Sequence, residues 1–227
     1  MTRSTAVSEV AARRGKSLTQ IVQDEIERMI ISGEIDSGQR LNEQQIASQL
    51  GVSRGPVREA LRGLESSGLI VGLPNLGMFV RSLDVWEVVE LYELRSVVFG
   101  FACGCVAERA KKEHIAILRE HIAEMEEIIR LEDFNTYYSM NLAFHDKILE
   151  FADRPRTVAV YQSLVKESHL FRRRVLVNPS SMAISNREHV EIVDAIESGD
   201  PALARAAGEH HHTHGKQRWL NTLGRRE

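Results

Sequence analysis

Nine histidines are the residues of this chain whose type and spacing best suit chemistry, and all of them lie at or after His114. Four crowd into the run GEHHHTHGK, as His210, His211, His212 and His214. Neutral imidazole is a ligand for zinc, nickel and similar ions. The run is too early in the chain, and too interrupted by Thr213, to be an affinity tag, and KQRWLNTL continues its helix. A single histidine on an apolar helix is more often a packed core residue than a ligand. The cluster therefore becomes a metal site only if one of the four completes a set whose other members lie upstream. No general base stands out beside these histidines, which speaks against a hydrolytic or oxidative metalloenzyme. A second chemistry sits near the other end: Arg54, Arg58 and Arg62 recur every four residues in GVSRGPVREALRGLESSGLI. The planar donor fork of arginine can bridge O6 and N7 of guanine or clamp phosphate. Taken alone, such a row is also what an ordinary solvated helix face looks like.

The elements that must position these residues fall in two segments. The chain has 227 residues, 43% of them apolar and 27% charged, which fits one large or two modest globular domains. No run of eighteen apolar residues suggests a membrane span, and no apolar leader opens the chain. The first sixteen residues are small, polar and basic, and read as a flexible arm. Cys103 and Cys105 are poorly placed for a disulfide, so a reducing cytoplasm is expected. The net charge of −3 hides an asymmetry. Up to Ser82 there are ten Lys/Arg against nine Asp/Glu; beyond it, nineteen against twenty-three.

Residues 17–82 read as three helices and a hairpin. SLTQIVQDEIERMIISGEI has apolar residues at helical spacing, Ser17 or Thr19 as N-cap and Gly33 as stop. DSGQRL reads as a turn. NEQQIASQL is a short helix capped by Asn42 and ended by Gly51. Ser53 can cap the third helix, with Pro56 in its first turn. Two short helices joined by a tight turn are a helix-turn-helix signature. GLIVGLPNLGMFVRS then supplies a β-hairpin wing with Pro74, Asn75 and Gly77 at its tip.

The stretch LNEQQIASQLGVSRGPVREALRGLESSGLIVGLPNLGMFV resembles the N-terminal domain of GntR-type bacterial transcription regulators, over residues 18 to 82. The resemblance implies base-reading roles for Arg54 and Arg58, and DNA contacts from Ser53, Gly55 and wing Gly77. Some relatives carry an arginine where this chain has Gln44, which can still touch phosphate or adenine.

From residue 83 to about 222, helical periods dominate, glycine and proline are sparse and nothing reads as a strand. An antiparallel all-α bundle of six or seven helices is expected, followed by a short tail at 223–227. Its first stretch, VWEVVELYELRSVVFGFACGCVAERA, forms one helix or a pair. Downstream of such a winged helix, LYELRSVV, NLAFHDKIL, REHVEIVDAIESGD and the last-helix histidines resemble the FCD-type ligand-binding domain of the FadR subfamily. That resemblance implies a divalent metal, zinc or nickel, held by an i, i+4 pair on one helix and one histidine from each of the last two. Here these are Asn141 and His145, His189, and His211, with His210 the register alternative. Asn141 stands where the pattern has aspartate, so its amide oxygen ligates without charge and an exogenous carboxylate can supply the missing negative charge. Asp146, about 100° away around the helix, is a poor substitute. His212 is expected to face solvent and His214 the pocket mouth. Arg95 can clamp an effector carboxylate or simply form an ion pair. Phe99 replaces a glutamate common four residues after that arginine, making the pocket more apolar.

The expectation is thus a mainly α protein with an N-terminal winged helix-turn-helix and a helical effector domain. It is expected to be a cytoplasmic regulator, more often a repressor in this family, that binds a palindromic operator in double-stranded DNA as a homodimer and responds to a small organic acid. The alternatives are a pure metal sensor and a metalloenzyme.

Overall fold

A computed structural model describes residues 15–172 and 179–223. Residues 1–14 of the expected arm (1–16), residues 224–227 of the tail (223–227) and the end of PRTVAVYQSLVKESHLFRRRVL lie outside the described residues. The chain divides into two compact units, meeting between Leu83 and Asp84.

The first unit begins with α1 (Leu18–Ser32). Ser17 and Gln20 form a reciprocal capping box, and Gly33 closes the helix in the left-handed conformation. Helix α2 (Glu43–Leu50) starts where the Asn42 side chain accepts from the amides of Gln44 and Gln45, and stops at left-handed Gly51. Helix α3 (Arg54–Ser66) follows after three residues. The apolar stripes of these helices, among them Ile26, Ile46, Val57, Leu61 and Leu64, meet in one core. The sheet departs from the expected simple hairpin. β2 (Ile70–Leu73) and β3 (Gly77–Val80) pair antiparallel as expected. The stretch read as a turn also contributes β1 (Arg40–Leu41), which pairs with β3 to give the order β1-β3-β2. Two residues are too few to show alternation, which is why the periodicity did not reveal them. Their pairing covers the outer edge of β3, so the wing is not left with an open edge at its base.

The second unit has six helices among the described residues: α4 (Val85–Ala107), α5 (Lys112–Arg130), α6 (Phe134–Ala152), α7 (Pro155–Arg172), α8 (Pro179–Glu197) and α9 (Pro201–Leu223). The stretch open between one helix and two is a single one, α4, started by an Asp84–Glu87 capping box. Proline opens α7, α8 and α9, where its missing N–H costs nothing. Helix α4 packs against α6, α7, α8 and α9. It is the central helix, and residues around most of its circumference are buried, including Val88, Arg95, Phe99, Ala102, Cys103 and Val106. Its approach to α9 is set by glycine. A Cβ on Gly208 would lie 2.8 Å from Cys103 Sγ and 3.1 Å from the Gly100 Cα. A Cβ on Gly100 would meet the Arg205 carbonyl at 2.9 Å.

Because the two backbones leave no room for a methyl group there, Gly208→Ala is expected to destabilise the bundle by about 1–3 kcal/mol. Thermal unfolding of the variant checks this; an unchanged or raised melting temperature would show that the crossing can open at no cost.

Candidate functional site

In the first unit, α3 presents Arg54, Arg58 and Arg62 to solvent. Arg54 and Arg58 share one partner, Glu43. Arg54 Nη2 donates to Oε2 at 3.2 Å, and Arg58 donates from Nη2 to Oε2 at 3.1 Å and from Nε to Oε1 at 3.2 Å. Glu43 opens α2, where the positive helix end favours a carboxylate. The Arg58 hydrogen bonds, opposed by partial burial and helped by Arg54, hold its carboxyl below the usual range. Exposed ion pairs of this kind add little stability; their effect is to hold two long side chains side by side. The Ser53 backbone starts α3 as expected, but its hydroxyl makes no capping bond. Gln44 and Gly55 are exposed, and no atom lies within 4 Å of where a Gly55 Cβ would stand. At the wing tip Asn75 and Gly77 take positive φ, 61° and 101°. The Arg40 guanidinium lies 3.5 Å from the position a Gly77 Cβ would occupy.

In the second unit the bundle core is polar at its centre. His145 from α6, His189 from α8 and His211 from α9 are all buried, and their ligating atoms lie within 4.8 Å of one another. No other set of three His, Cys, Asp or Glu side chains comes together in this way among the described residues. The register is therefore that of His211; His210 is exposed. Asn141, one turn before His145 on α6, is fully buried, and neither atom of its amide has a hydrogen-bond partner among the described residues. An unsatisfied buried amide costs about 1–3 kcal/mol, so its placement asks for a partner. Asp146 is exposed and outside the group. The donors that converge are three imidazoles, a set that suits zinc or nickel, with the Asn141 amide one helical turn from His145.

One expectation is overturned: His212 does not face solvent. It is 2% exposed, and its Nε2 lies 3.0 Å from the Tyr161 hydroxyl. Helix α9 is covered by α4 and by α8, so two consecutive positions, 100° apart, both point inward. His211 meets α8 through Glu188, and His212 meets Phe99 of α4 (ring centroids 4.9 Å) and Tyr161 of α7.

Tyr161 and Glu188 carry the surroundings of the triad, and the sequence did not single out either role. The Tyr161 hydroxyl accepts from Arg95 Nη2 at 3.1 Å and also contacts His145 Nδ1 at 2.8 Å. The proton positions follow by elimination for neutral rings. A carbonyl can only accept, so His212 Nδ1, 3.3 Å from the Gly208 oxygen, is its N–H. His212 Nε2 then takes the one proton Tyr161 can donate, and His145 Nδ1 must donate to Tyr161. That leaves the lone pair of His145 on Nε2. On the other side Glu188, 5% exposed, accepts from His211 Nδ1 at 2.8 Å, so that in a neutral His211 ring the lone pair lies on Nε2 as well. Burial alone would raise the Glu188 carboxyl, but hydrogen bonds from His211 and Arg218 outweigh it and bring it to about 2. Arg218 Nη2 donates to it at 2.9 Å, and His214 Nδ1 lies 3.2 Å from its other oxygen. Histidine ligands held by a carboxylate or hydroxyl at their second nitrogen are the usual arrangement around protein-bound metals. Arg95 is fully buried, over the rings of Tyr92 and Tyr161 at 5.9 and 5.4 Å. Phe99 packs its ring on His145, centroids 4.6 Å apart, as an apolar wall.

Two family descriptions match this chain: "Bacterial regulatory proteins, gntR family" over residues 18–80 and "FCD domain" over residues 90–214. The chain belongs to the GntR family. It is a transcriptional regulator with an FCD domain, and its relatives are regulators rather than enzymes. It is 32% identical over 193 residues to the probable D-xylose utilization operon transcriptional repressor of Paenarthrobacter nicotinovorans, covering 84% of this chain and 83% of that one. It is 30% identical over 188 residues to the gluconate operon transcriptional repressor of Bacillus subtilis, covering 79% and 75%. The solved structure of E. coli McbR/YncC shares the fold, with a TM-score of 0.79 at 20% identity over 92% of this chain and 99% of that one. GntR-family regulators bind DNA, and no helix among the described residues is long and apolar enough to cross a membrane.

Tyr161→Phe removes the one oxygen shared by Arg95, His145 and His212. Leaving these buried groups short of a partner is expected to cost about 1–3 kcal/mol, read by denaturant unfolding. A loss below a few tenths of a kcal/mol would mean the hub contributes nothing to the fold.

Proposed function

We propose that the protein is a ligand-responsive repressor that binds a palindromic operator in double-stranded DNA as a cytoplasmic homodimer. Its bundle binds a small organic acid at a divalent metal ion, zinc or nickel. Arg54 and Arg58 read base edges, while Ser53, Gln44, Gly55 and Gly77 approach the backbone. A two-fold pair of winged helices suits a palindrome.

The observation that carries the metal reading is the convergence of His145, His189 and His211 beside the unsatisfied Asn141 amide. His145 and His211 present Nε2, with Tyr161 and Glu188 fixing the opposite nitrogen of each ring. When bound, the ion supplies a Lewis-acidic position to which an anion can attach. Arg95, joined to the same Tyr161 hydroxyl as His145, would meet a carboxylate. Phe99 keeps water from that side. The relatives named for D-xylose utilization and gluconate operons point to sugars and sugar acids as the class to try first. Effector binding changes operator affinity to the extent that it favours one of two conformations.

Two measurements test this reading. Arg54→Ala and Arg58→Ala are each expected to weaken operator binding by about 1–3 kcal/mol while the fold is kept, and wild-type affinity should fall steeply with salt as counterions are released. Unchanged affinity in both variants would refute the reading head. His145→Ala, His189→Ala and His211→Ala are each expected to lose the tightly held ion, measured by elemental analysis after dialysis; full retention in all three would remove the core site. Titrating gluconate and related acids into the operator assay, with and without metal, separates a metabolite receptor from a regulator that answers to the ion alone.

A further inference from the structure

We propose that His210 and His214 form a second divalent-metal site, on the exposed face of α9. Residues four apart on a helix are neighbours on one face. Here both side chains are exposed, and their ring centroids are 3.7 Å apart with the planes inclined at 52°. Two imidazoles already side by side need little rearrangement to hold one ion, with water completing the shell.

His214 is also oriented for it. Its Nδ1 faces Glu188 Oε1 at 3.2 Å. A carboxylate accepts there, so the proton of the neutral ring sits on Nδ1 and the lone pair on Nε2, away from Glu188. The same carboxylate takes His211 on its other oxygen, Oε2. One buried acid thus orients one histidine of the core triad and one of the surface pair. Nitrogen donors favour copper, nickel and zinc over magnesium or calcium, so borderline transition ions are the class expected. Neither His210 nor His214 belongs to the buried triad, and the surface pair requires no ion in the core.

The test is equilibrium dialysis of the full chain against nickel or zinc chloride, with bound metal counted by elemental analysis. Because His214 is one of the partners of Glu188, the single variant His210→Ala, which leaves Glu188 untouched, is measured as well as the double variant His210→Ala/His214→Ala. Both should lose one ion per chain relative to wild type, while His145→Ala keeps that ion. With magnesium chloride in place of nickel or zinc, no difference between wild type and the double variant is expected. If the double variant binds nickel and zinc with the same number and affinity as wild type, the surface site does not exist. If His145→Ala binds as wild type does while the double variant loses an ion, the core reading fails and the surface site stands.

Discussion

Glu188 is the group on which the centre of the bundle depends. A carboxylate at that depth is tolerated only because His211, His214 and Arg218 all reach it. Remove them and burial would force it to take up a proton; with them it stays ionised and can pin rings. The Tyr161 hydroxyl does the matching task on the other side of the triad with a neutral group. Between them the two fix which nitrogen of His145 and of His211 carries the proton. Burying so many imidazoles in an otherwise apolar bundle is costly unless each is satisfied. The chain from the Gly208 carbonyl through His212 and Tyr161 to His145 shows how the cost is met.

The proposed reading head has the same device on the surface. Glu43 draws Arg54 and Arg58 together before any DNA is present. Its attraction is weak enough to yield, since exposed pairs are screened by water and salt. In the proposed reading, a base edge or phosphate would compete with one shared carboxylate rather than with two dedicated partners. Less side-chain entropy would be lost on such binding, because the arginines are already gathered on one side of α3.

Most of this was legible in the residues. Caps are local chemistry, so Ser17, Gly33, Asn42 and Gly51 marked helix ends correctly. The family resemblance located His145, His189 and His211, which the fold brings together. The failures share a cause: each depended on what lies across from a residue rather than beside it. β1 is two residues long and exists because β3 offers a partner. His212 is buried because α9 is covered on two sides, which a single-face helix reading cannot anticipate. Tyr161 sat in an unremarkable helix, and only the convergence of Arg95, His145 and His212 gives its hydroxyl a role.

The exchange of a carboxylate for Asn141 ties the proposed metal to the proposed effector. Three neutral imidazoles and an amide neutralise none of the charge of a divalent ion. Glu188 stands one ligand further out, and its charge is already shared with Arg218. Arg95 adds another positive charge, joined to the same cluster through Tyr161. A loaded core of this composition carries excess positive charge in a poorly screened interior, where Coulomb attraction is far stronger than in water. A carboxylate ligand would relieve it by binding the ion and Arg95 together, whereas a neutral ligand would leave it in place. In the proposed site, the substitution that weakens the ion's own hold would therefore be the one that makes an organic anion part of the complete set.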